Sequence, residues 1–464
     1  MTVKSFFMDI SPLRDSPAFR YAFAARTATV LVTGMLLVAA SLQLFQMTQS
    51  SVAVAALNVA MAVPMVLALV AGGVLSDQRD RRSLMLWSRS AYAVGVLLFF
   101  VNALLPEPSI VLIYVAGMIS GAAGGISVPA MMAATPALVG RERLAAAAAL
   151  GGLSMQIGGI VGPALAGALI AGPGLVFCYG IVLVGVLTTP FLLYRLPPLP
   201  PPPRKAPVRA AASFIEGLSY IRGNPLLRGL LLIDLAAMVL ATPLALLPEW
   251  GTRILGGGPQ VAGFLYAAPA IGATLAALSS GWTRRVAQTG HVLIAAVLVW
   301  GASIVLLALG TSLWWAMISL ALMGAADTIS KILRGALMQR HTPDALLGRV
   351  SSIWMMQTSI GPALGNVQVG FVARLLSPPL ALLIGGVACV AAVSAVAATS
   401  PSLRAAQLQG TRKPGEASAD AAASTTAPAQ AMAVDPRPIR GASSTAASAG
   451  GSGAAPSFRE EKTP

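Results

Sequence analysis

Long apolar segments recur along this sequence, and they constrain the fold more than any other feature. A helix needs about 20 apolar residues to cross the roughly 30 Å hydrocarbon core of a bilayer. Only 10% of the 464 residues are charged, whereas a water-soluble protein carries about 25%. The pattern therefore predicts an all-α membrane protein with twelve transmembrane helices. We expect these helices at residues 21–46, 51–75, 83–104, 109–133, 145–170, 174–195, 226–248, 259–281, 290–309, 312–337, 346–373 and 378–399.

The positions of Lys and Arg predict the orientation of these helices. The net charge of +15 would indicate nucleic-acid binding in a soluble protein. Here the basic residues lie in alternate short loops, which face the cytoplasm in most membrane proteins. The other loops contain Arg253 as the clear exception. We therefore expect a multi-pass protein of the bacterial inner (plasma) membrane, in contact with lipid and with both termini cytoplasmic, and no nucleic-acid partner.

Changes in composition divide the chain into four parts. A proline-rich stretch at residues 197–203 predicts an extended polyproline II segment. It is followed by a predicted amphipathic helix over 210–222, lying on the membrane surface with Phe214, Leu218 and Ile221 on one side. After residue 400 the sequence is rich in Ala, Ser, Thr and Gly, which predicts disorder. The predicted parts are an N-terminal half (1–195), a cytoplasmic linker (196–225), a C-terminal half (226–400) and a disordered cytoplasmic tail (401–464).

The two halves contain similar segments in the same order. The segment 135–141, TPALVGR, resembles 342–349, TPDALLGR, and GPAL occurs both at 162–165 and at 361–364. A basic loop also follows the second helix of each half. Such a repeat predicts two six-helix halves related by an axis along the membrane normal, as in major facilitator transporters, with a substrate site between the halves near mid-membrane.

The loop after the second helix carries a more specific signal. Residues 73–82, GVLSDQRDRR, resemble the major facilitator signature G-x-L-a-D-r-x-G-r-R, with Asp80 in place of the second glycine. The resemblance implies a cytoplasmic gating motif. In it Gly73 permits close packing, and Asp77 pairs with a cation or a helix N-terminus in the outward-facing state. An ordinary basic loop would account for Arg81 and Arg82 alone.

Four further strings resemble the enterobactin exporter family of major facilitator proteins. They are NALLPEPS (102–109), AATPALVGRE (133–142), the proline-rich segment after Leu196, and GFLYAA (263–268). The likeness runs from about Asp15 to Leu380. It implies export of a catecholate siderophore, or a similar molecule, from cytoplasm to periplasm. A drug or metabolite exporter of the same fold is the alternative.

Charged residues inside the predicted helices mark a substrate or proton pathway, because such residues are costly in lipid and usually face a cavity or a partner. Arg26 lies in the first helix and either faces the cavity or extends to the interface. Asp234 in the seventh helix is a proton-sensitive group or the partner of an arginine. Asp327 and Lys331 in the tenth helix are spaced to pair as i, i+4. The pair either only stabilises the helix bundle, or Lys331 attracts an anionic, oxygen-rich substrate while Asp327 exchanges protons. Arg334 is expected in the following loop.

The fifth helix carries small residues in a recognisable order. Gly158, Gly162, Pro163 and Gly167 resemble the antiporter motif G-x-x-x-G-P-x-x-G-G of major facilitator exporters, with Ala166 replacing one glycine. The resemblance implies export rather than uptake, with Pro163 bending a helix that lies between the halves. Close packing of a glycine-rich helix is the simpler interpretation.

The sequence offers little material for other classes of protein. It has no phosphate-binding loop of the Walker type, no His or Cys cluster for a metal, and no Ser/His/Asp set for nucleophilic catalysis. We therefore expect no enzyme activity, no cofactor and no metal. The predicted function is proton-driven alternating-access export of a small molecule, with protons as the co-transported ion and unidentified periplasmic or outer-membrane export partners. A passive channel is disfavoured by the gating motif.

Overall fold

A computed structural model describes residues 11–200, 210–286 and 288–407. Its main elements are twelve long helices, and no strand occurs in these residues. The helices are α1 (Pro17–Thr48), α2 (Ser51–Gln78), α3 (Arg81–Leu104), α4 (Ile110–Val139), α5 (Leu144–Ala171), α6 (Leu175–Tyr194), α7 (Pro225–Leu240), α8 (Pro259–Ser279), α9 (Thr289–Leu309), α10 (Leu313–His341), α11 (Asp344–Leu375) and α12 (Pro378–Thr399).

Length and apolarity suffice for membrane crossing in eleven of the described helices. The remaining long helix, α11, has 32 residues, which is more than a membrane crossing requires. It is less apolar because polar residues recur along it: Ser351, Ser352, Gln357, Thr358, Ser359, Asn366 and Gln368. The all-α membrane fold with twelve long helices is therefore confirmed, and α11 is the helix in which polar side chains are concentrated.

The two halves repeat one packing pattern, which confirms the internal repeat. In the first half α1 packs on α5 and α6, and α2 packs on α4; in the second half α7 packs on α11 and α12, and α8 on α10. Glycines allow close packing of α1 on α5 in the first half and of α7 on α11 in the second half. Gly162 faces the backbone of α1 at Leu31 and Gly34, while Gly361 faces Met238 of α7. The halves meet each other through α2 with α11 and α5 with α8.

The seventh span is interrupted, although the sequence predicts a continuous helix over 226–248. The α-helix ends at Leu240, and short turns over Leu244–Leu246, Leu247–Glu249 and a π-helical Trp250–Ile254 follow. Pro243 explains the interruption, because proline has no N–H and disfavours helical geometry in the residue before it.

The linker helix, Ala210–Gly223, packs on α11 and on α7. Ile221 is fully buried, and Phe214 and Leu218 join the same hydrophobic core. An ion pair joins Glu216 to Arg349 at the start of α11. The predicted apolar face thus exists, but it covers protein because the N-terminal part of α11 lies within reach. Residues 201–209, which all belong to the predicted linker, lie outside the described residues.

The folded chain extends past the predicted boundary at residue 400. A short helix, Pro401–Arg404, follows α12, and Leu403 is completely buried. The N–H of Gly290, at the start of α9, donates a hydrogen bond of 2.9 Å to the carbonyl of Ala406. Residues 401–407 are therefore part of the bundle, and the rest of the predicted tail, 408–464, lies outside the described residues.

Candidate functional site

A buried ion pair lies in the second half, between α7 and α10. The guanidinium of Arg334 donates to a carboxylate oxygen of Asp234, and the two side chains are only 3% and 1% exposed. The structure therefore contradicts the prediction that Arg334 belongs to a loop, because α10 continues to His341 and Arg334 lies two turns inside it. Of the two interpretations of Asp234, pairing with an arginine is the one observed.

Two residues of α11 complete the surroundings of this pair. The Nε2 of Gln357 donates to the second carboxylate oxygen of Asp234 at 3.0 Å and to the carbonyl of Leu231 at 3.1 Å. The guanidinium carbon of Arg334 lies 4.8 Å from the centre of the Trp354 ring, within the range of a cation–π interaction. Sequence analysis missed both residues because neither is charged. The available signal was the unusual density of polar residues in α11.

Asp327 and Lys331 form the predicted pair along α10. Lys331 Nζ lies 2.6 Å from Asp327 Oδ2, and the lysine side chain is 51% exposed. The other oxygen of Asp327, Oδ1, is buried and has no hydrogen-bond partner among the described residues. Asp327, Lys331 and Arg334 follow one another at intervals of four and three residues along α10, which places them on one side of the helix. Asp234, Asp327, Lys331 and Arg334 thus form one group of two negative and two positive charges, called here the charge cluster.

Arg26 lies in the other half, apart from the charge cluster. Its guanidinium covers Gly151 of α5, where an added Cβ would be 2.8 Å from Nη1, and it lines a small cavity with Phe19 and Phe23. Arg89, one turn before Tyr92 in α3, is another half-buried cation of this half and was missed by sequence analysis. Neither arginine takes part in the ion pairs found among the described residues.

The predicted gating motif connects helices of the first half. Arg81 Nη1 donates to the carbonyl of Ala133 in α4 at 2.8 Å. Arg82 Nη2 donates to the carbonyl of Tyr194 in α6 at 2.6 Å, and its guanidinium carbon lies 5.0 Å from the Tyr194 ring centre. These two arginines therefore hold the start of α3 to the ends of α4 and α6.

Asp80, the departure from the signature, has a structural function of its own. Its Oδ1 accepts from the N–H of Ser83 at 2.8 Å, which caps α3. Its Oδ2 accepts from the N–H of Leu199 at 2.6 Å, which fixes the proline-rich segment to the same helix. A glycine could make neither bond.

The packing function predicted for Gly73 belongs to its neighbour. A Cβ added at Gly73 would meet no atom within 4 Å, whereas one at Gly72 would lie 2.8 Å from Cα of Ile126 in α4. The prediction failed because adjacent residues of a helix point about 100° apart, and the sequence does not show which of them faces α4. Asp77 lies in the last turn of α2, and its side chain is outside the part of the chain that the structure describes.

The glycines of the α5 motif face two different helices, α1 and α8. Gly158 and Gly162 face α1 within the first half, where Pro163 also touches Gly34. Gly167 faces the other half, because a Cβ there would lie 2.8 Å from the carbonyl oxygen of Pro259 and 2.9 Å from Cα of Gly263. The motif therefore joins α1 to α5 and α5 to α8.

Replacing Gly167 by Ala is expected to lower stability by roughly 1–3 kcal/mol, the usual cost of overpacking a tight contact. Gly152→Ala, in the same helix, is the matched control, because a Cβ there meets no atom within 4 Å and alanine favours helix. Thermal unfolding of the two variants in detergent measures the difference. Equal unfolding temperatures would contradict a close contact at Gly167.

A family model described as "Transmembrane secretion effector" matches residues 8–428. Among curated proteins, the enterobactin exporter EntS of Escherichia coli O1:K1 is 33% identical over 382 residues, covering 82% of this chain and 90% of that protein. The enterobactin exporter EntS of Escherichia coli O157:H7 (strain EC4115) is similar to the same extent, with 33% identity over 382 residues.

Two solved transporter structures show the same fold at low sequence identity. A crystal structure of the nucleoside transporter NupG has a TM-score of 0.62 with 14% identity, covering 82% of this chain and 98% of that one. A POT family transporter in complex with 5-aminolevulinic acid has a TM-score of 0.69 with 11% identity, covering 84% and 97%. With its twelve-helix fold and its match to the family model, the chain belongs to the transmembrane secretion effector family of major facilitator transporters, which are membrane transporters and not enzymes.

Proposed function

We propose that this protein exports a catecholate siderophore such as enterobactin from the cytoplasm to the periplasm, driven by the proton gradient. The observation that carries the proposal is the 33% identity to enterobactin exporters over 90% of their length. A match of this length extends into both halves of the chain. The corresponding location is the bacterial inner membrane with both termini in the cytoplasm, as the Lys and Arg distribution predicts.

Asp327 is the residue at which we propose that cargo and proton compete. Its Oδ1 is buried and has no hydrogen-bond partner in the described part of the chain, and its Oδ2 pairs with the half-exposed Lys331. An ionised carboxylate accepts hydrogen bonds from the hydroxyls of a catechol, while a protonated one has lost part of that capacity. Cargo would therefore bind the ionised form on the cytoplasmic side, and a periplasmic proton would release it.

Asp234 is proposed as the second member of this proton pathway. Both of its oxygens already accept hydrogen bonds, from Arg334 and Gln357, and its side chain is 1% exposed. We therefore assign Asp234 the role of a charged residue that supports proton exchange at Asp327, and not that of the exchanging group. Lys331 and, in the other half, Arg26 supply positive charge for the oxygen-rich cargo.

We propose that Asp77, Arg81 and Arg82 form the cytoplasmic gate, as the signature implies, with Gly72 in the packing role expected of Gly73. Arg81 and Arg82 hold the start of α3 to α4 and α6. The loop therefore moves as one unit with the first half. Gly158, Gly162, Pro163 and Gly167 keep α5 close to α1 and α8, so that helix would transmit the motion of one half to the other.

The siderophore content of iron-starved culture medium tests the cargo. Deleting the gene is expected to lower secreted catecholate selectively, with unchanged drug tolerance. The wild-type gene should restore secretion and Asp77→Asn should not. Glu142→Gln, an exposed acidic residue before α5, is the control and should restore it. Unchanged secretion after deletion would overturn the siderophore proposal in favour of a drug or metabolite exporter.

A further inference from the structure

Polar contacts between the two halves lie at the end of the bundle that carries the α1–α2 loop. Glu249 accepts a hydrogen bond from the hydroxyl of Ser51, the first residue of α2. Arg253 pairs with Glu249 at 2.8 Å. The same guanidinium donates to the backbone carbonyl and the side-chain oxygen of Gln49, at 3.3 and 3.2 Å. It also lies 5.4 Å from the ring centre of Phe45.

We propose that residues 244–254, called here the bridging segment, form the gate at this end. Glu249 and Arg253 are the residues that close it. The inference goes beyond the proposed cargo and proton pathway, because it names neither and would hold for any molecule that leaves at this end. It rests on three features of the segment: its base, its tip and its charge.

The base of the bridging segment is fixed to the second half. The interruption of the seventh span frees backbone groups, and side chains of the second half bind them. Trp300 donates to the carbonyl of Ala241 at 2.9 Å, and Tyr266 donates to the carbonyl of Leu244 at 2.9 Å. The amide oxygen of Asn366 accepts from the N–H of Ala245 at 2.9 Å. The base therefore moves with the second half when the halves separate.

The tip of the segment reaches the first half instead. Glu249 directly precedes the π-helical turn Trp250–Ile254, and Arg253 lies within that turn. Such turns are rare and frequently occur at functional sites. The side-chain hydrogen bonds of the base are made to the second half, whereas Glu249 and Arg253 bond to Ser51 and Gln49 of the first half. Separation of the halves at this end must therefore break the contacts of Glu249 and Arg253 with the first half.

The positive charge of Arg253 has no explanation from membrane orientation, since loops at this end contain almost no Lys or Arg. Arg374 is the comparable residue, and it lies in the last turn of α11, where a cation is stabilised by the helix dipole. Arg253 instead pairs with a carboxylate that is 10% exposed and bridges to Gln49. Bridging the halves therefore accounts for a charge that the orientation rule does not.

Distances between spin labels at this end test the gate without any cargo. Labels are placed at Glu107→Cys in the α3–α4 loop and Thr311→Cys in the α9–α10 loop, both exposed and in different halves. The native Cys178 and Cys389 are completely buried. The distance between the two labels is measured in purified protein in nanodiscs. Arg253→Gln and Glu249→Gln are each expected to increase the fraction of molecules with a long distance, relative to the labelled parent.

Two further variants make the result decisive. Gln49→Ala removes the side-chain oxygen that accepts from Arg253 but keeps the backbone carbonyl that also accepts from it. We therefore expect a smaller change in the label distance than in Arg253→Gln. Arg374→Gln removes an equal charge at the same end without touching the bridge, and its distance distribution should match the parent. Unchanged distances in monodisperse Arg253→Gln and Gln49→Ala protein, or an equal shift in Arg374→Gln, would overturn the proposal.

Discussion

Asp327→Asn is expected to abolish proton-driven efflux while the protein remains folded. Asparagine keeps the size of the side chain but cannot exchange a proton, and it loses the charged hydrogen bond to Lys331. Uptake of labelled catecholate into inverted proteoliposomes, with and without a pH gradient, measures the loss.

Asp15→Asn is the matched control for this experiment. Asp15 also pairs with a cation, Arg143, but both side chains are more than 40% exposed and lie just before α1 and α5. We expect its transport to remain near the parent level. If Asp327→Asn combined with Asp234→Asn kept gradient-driven flux, the charge cluster would not carry the proton.

Breaking the buried pair between Asp234 and Arg334 is expected to have the largest effect on stability. Asp234→Asn leaves the guanidinium of Arg334, 3% exposed, without its counter-ion. Removing one partner of a buried ion pair typically costs about 3–5 kcal/mol. Thermal unfolding in detergent should show a much lower midpoint for this variant. The double variant Asp234→Asn/Arg334→Gln should recover part of the loss, because no uncompensated charge remains.

The second pair of the charge cluster provides the comparison. Lys331 is half exposed, and exposed ion pairs contribute only about 0–1 kcal/mol. Lys331→Gln should therefore unfold near the parent temperature while reducing transport. Equal destabilisation by Lys331→Gln and Asp234→Asn would mean that burial does not distinguish the two pairs.

The sequence alone determined the number of long helices, the division into repeated halves and the pairing of Asp327 with Lys331. These features depend on local properties. A segment long and apolar enough to cross a membrane must form a helix there, because its backbone groups find no other partners in lipid. Residues four apart on a helix are neighbours whatever surrounds them. The amphipathic face of the linker helix was predictable for the same reason, although the surface that it covers was not.

The tertiary structure alone decided which distant residues meet. Arg334 pairs with Asp234 across 100 residues, and Arg253 reaches Gln49 across 204. Such contacts depend on the depth and rotation of each helix relative to its neighbours. Hydropathy does not encode either quantity, because lipid accepts any apolar face equally well. The same reason explains why Gly72, and not Gly73, packs against α4. Side-chain packing between helices fixes depth and rotation, and therefore also the charge cluster and the bridging segment.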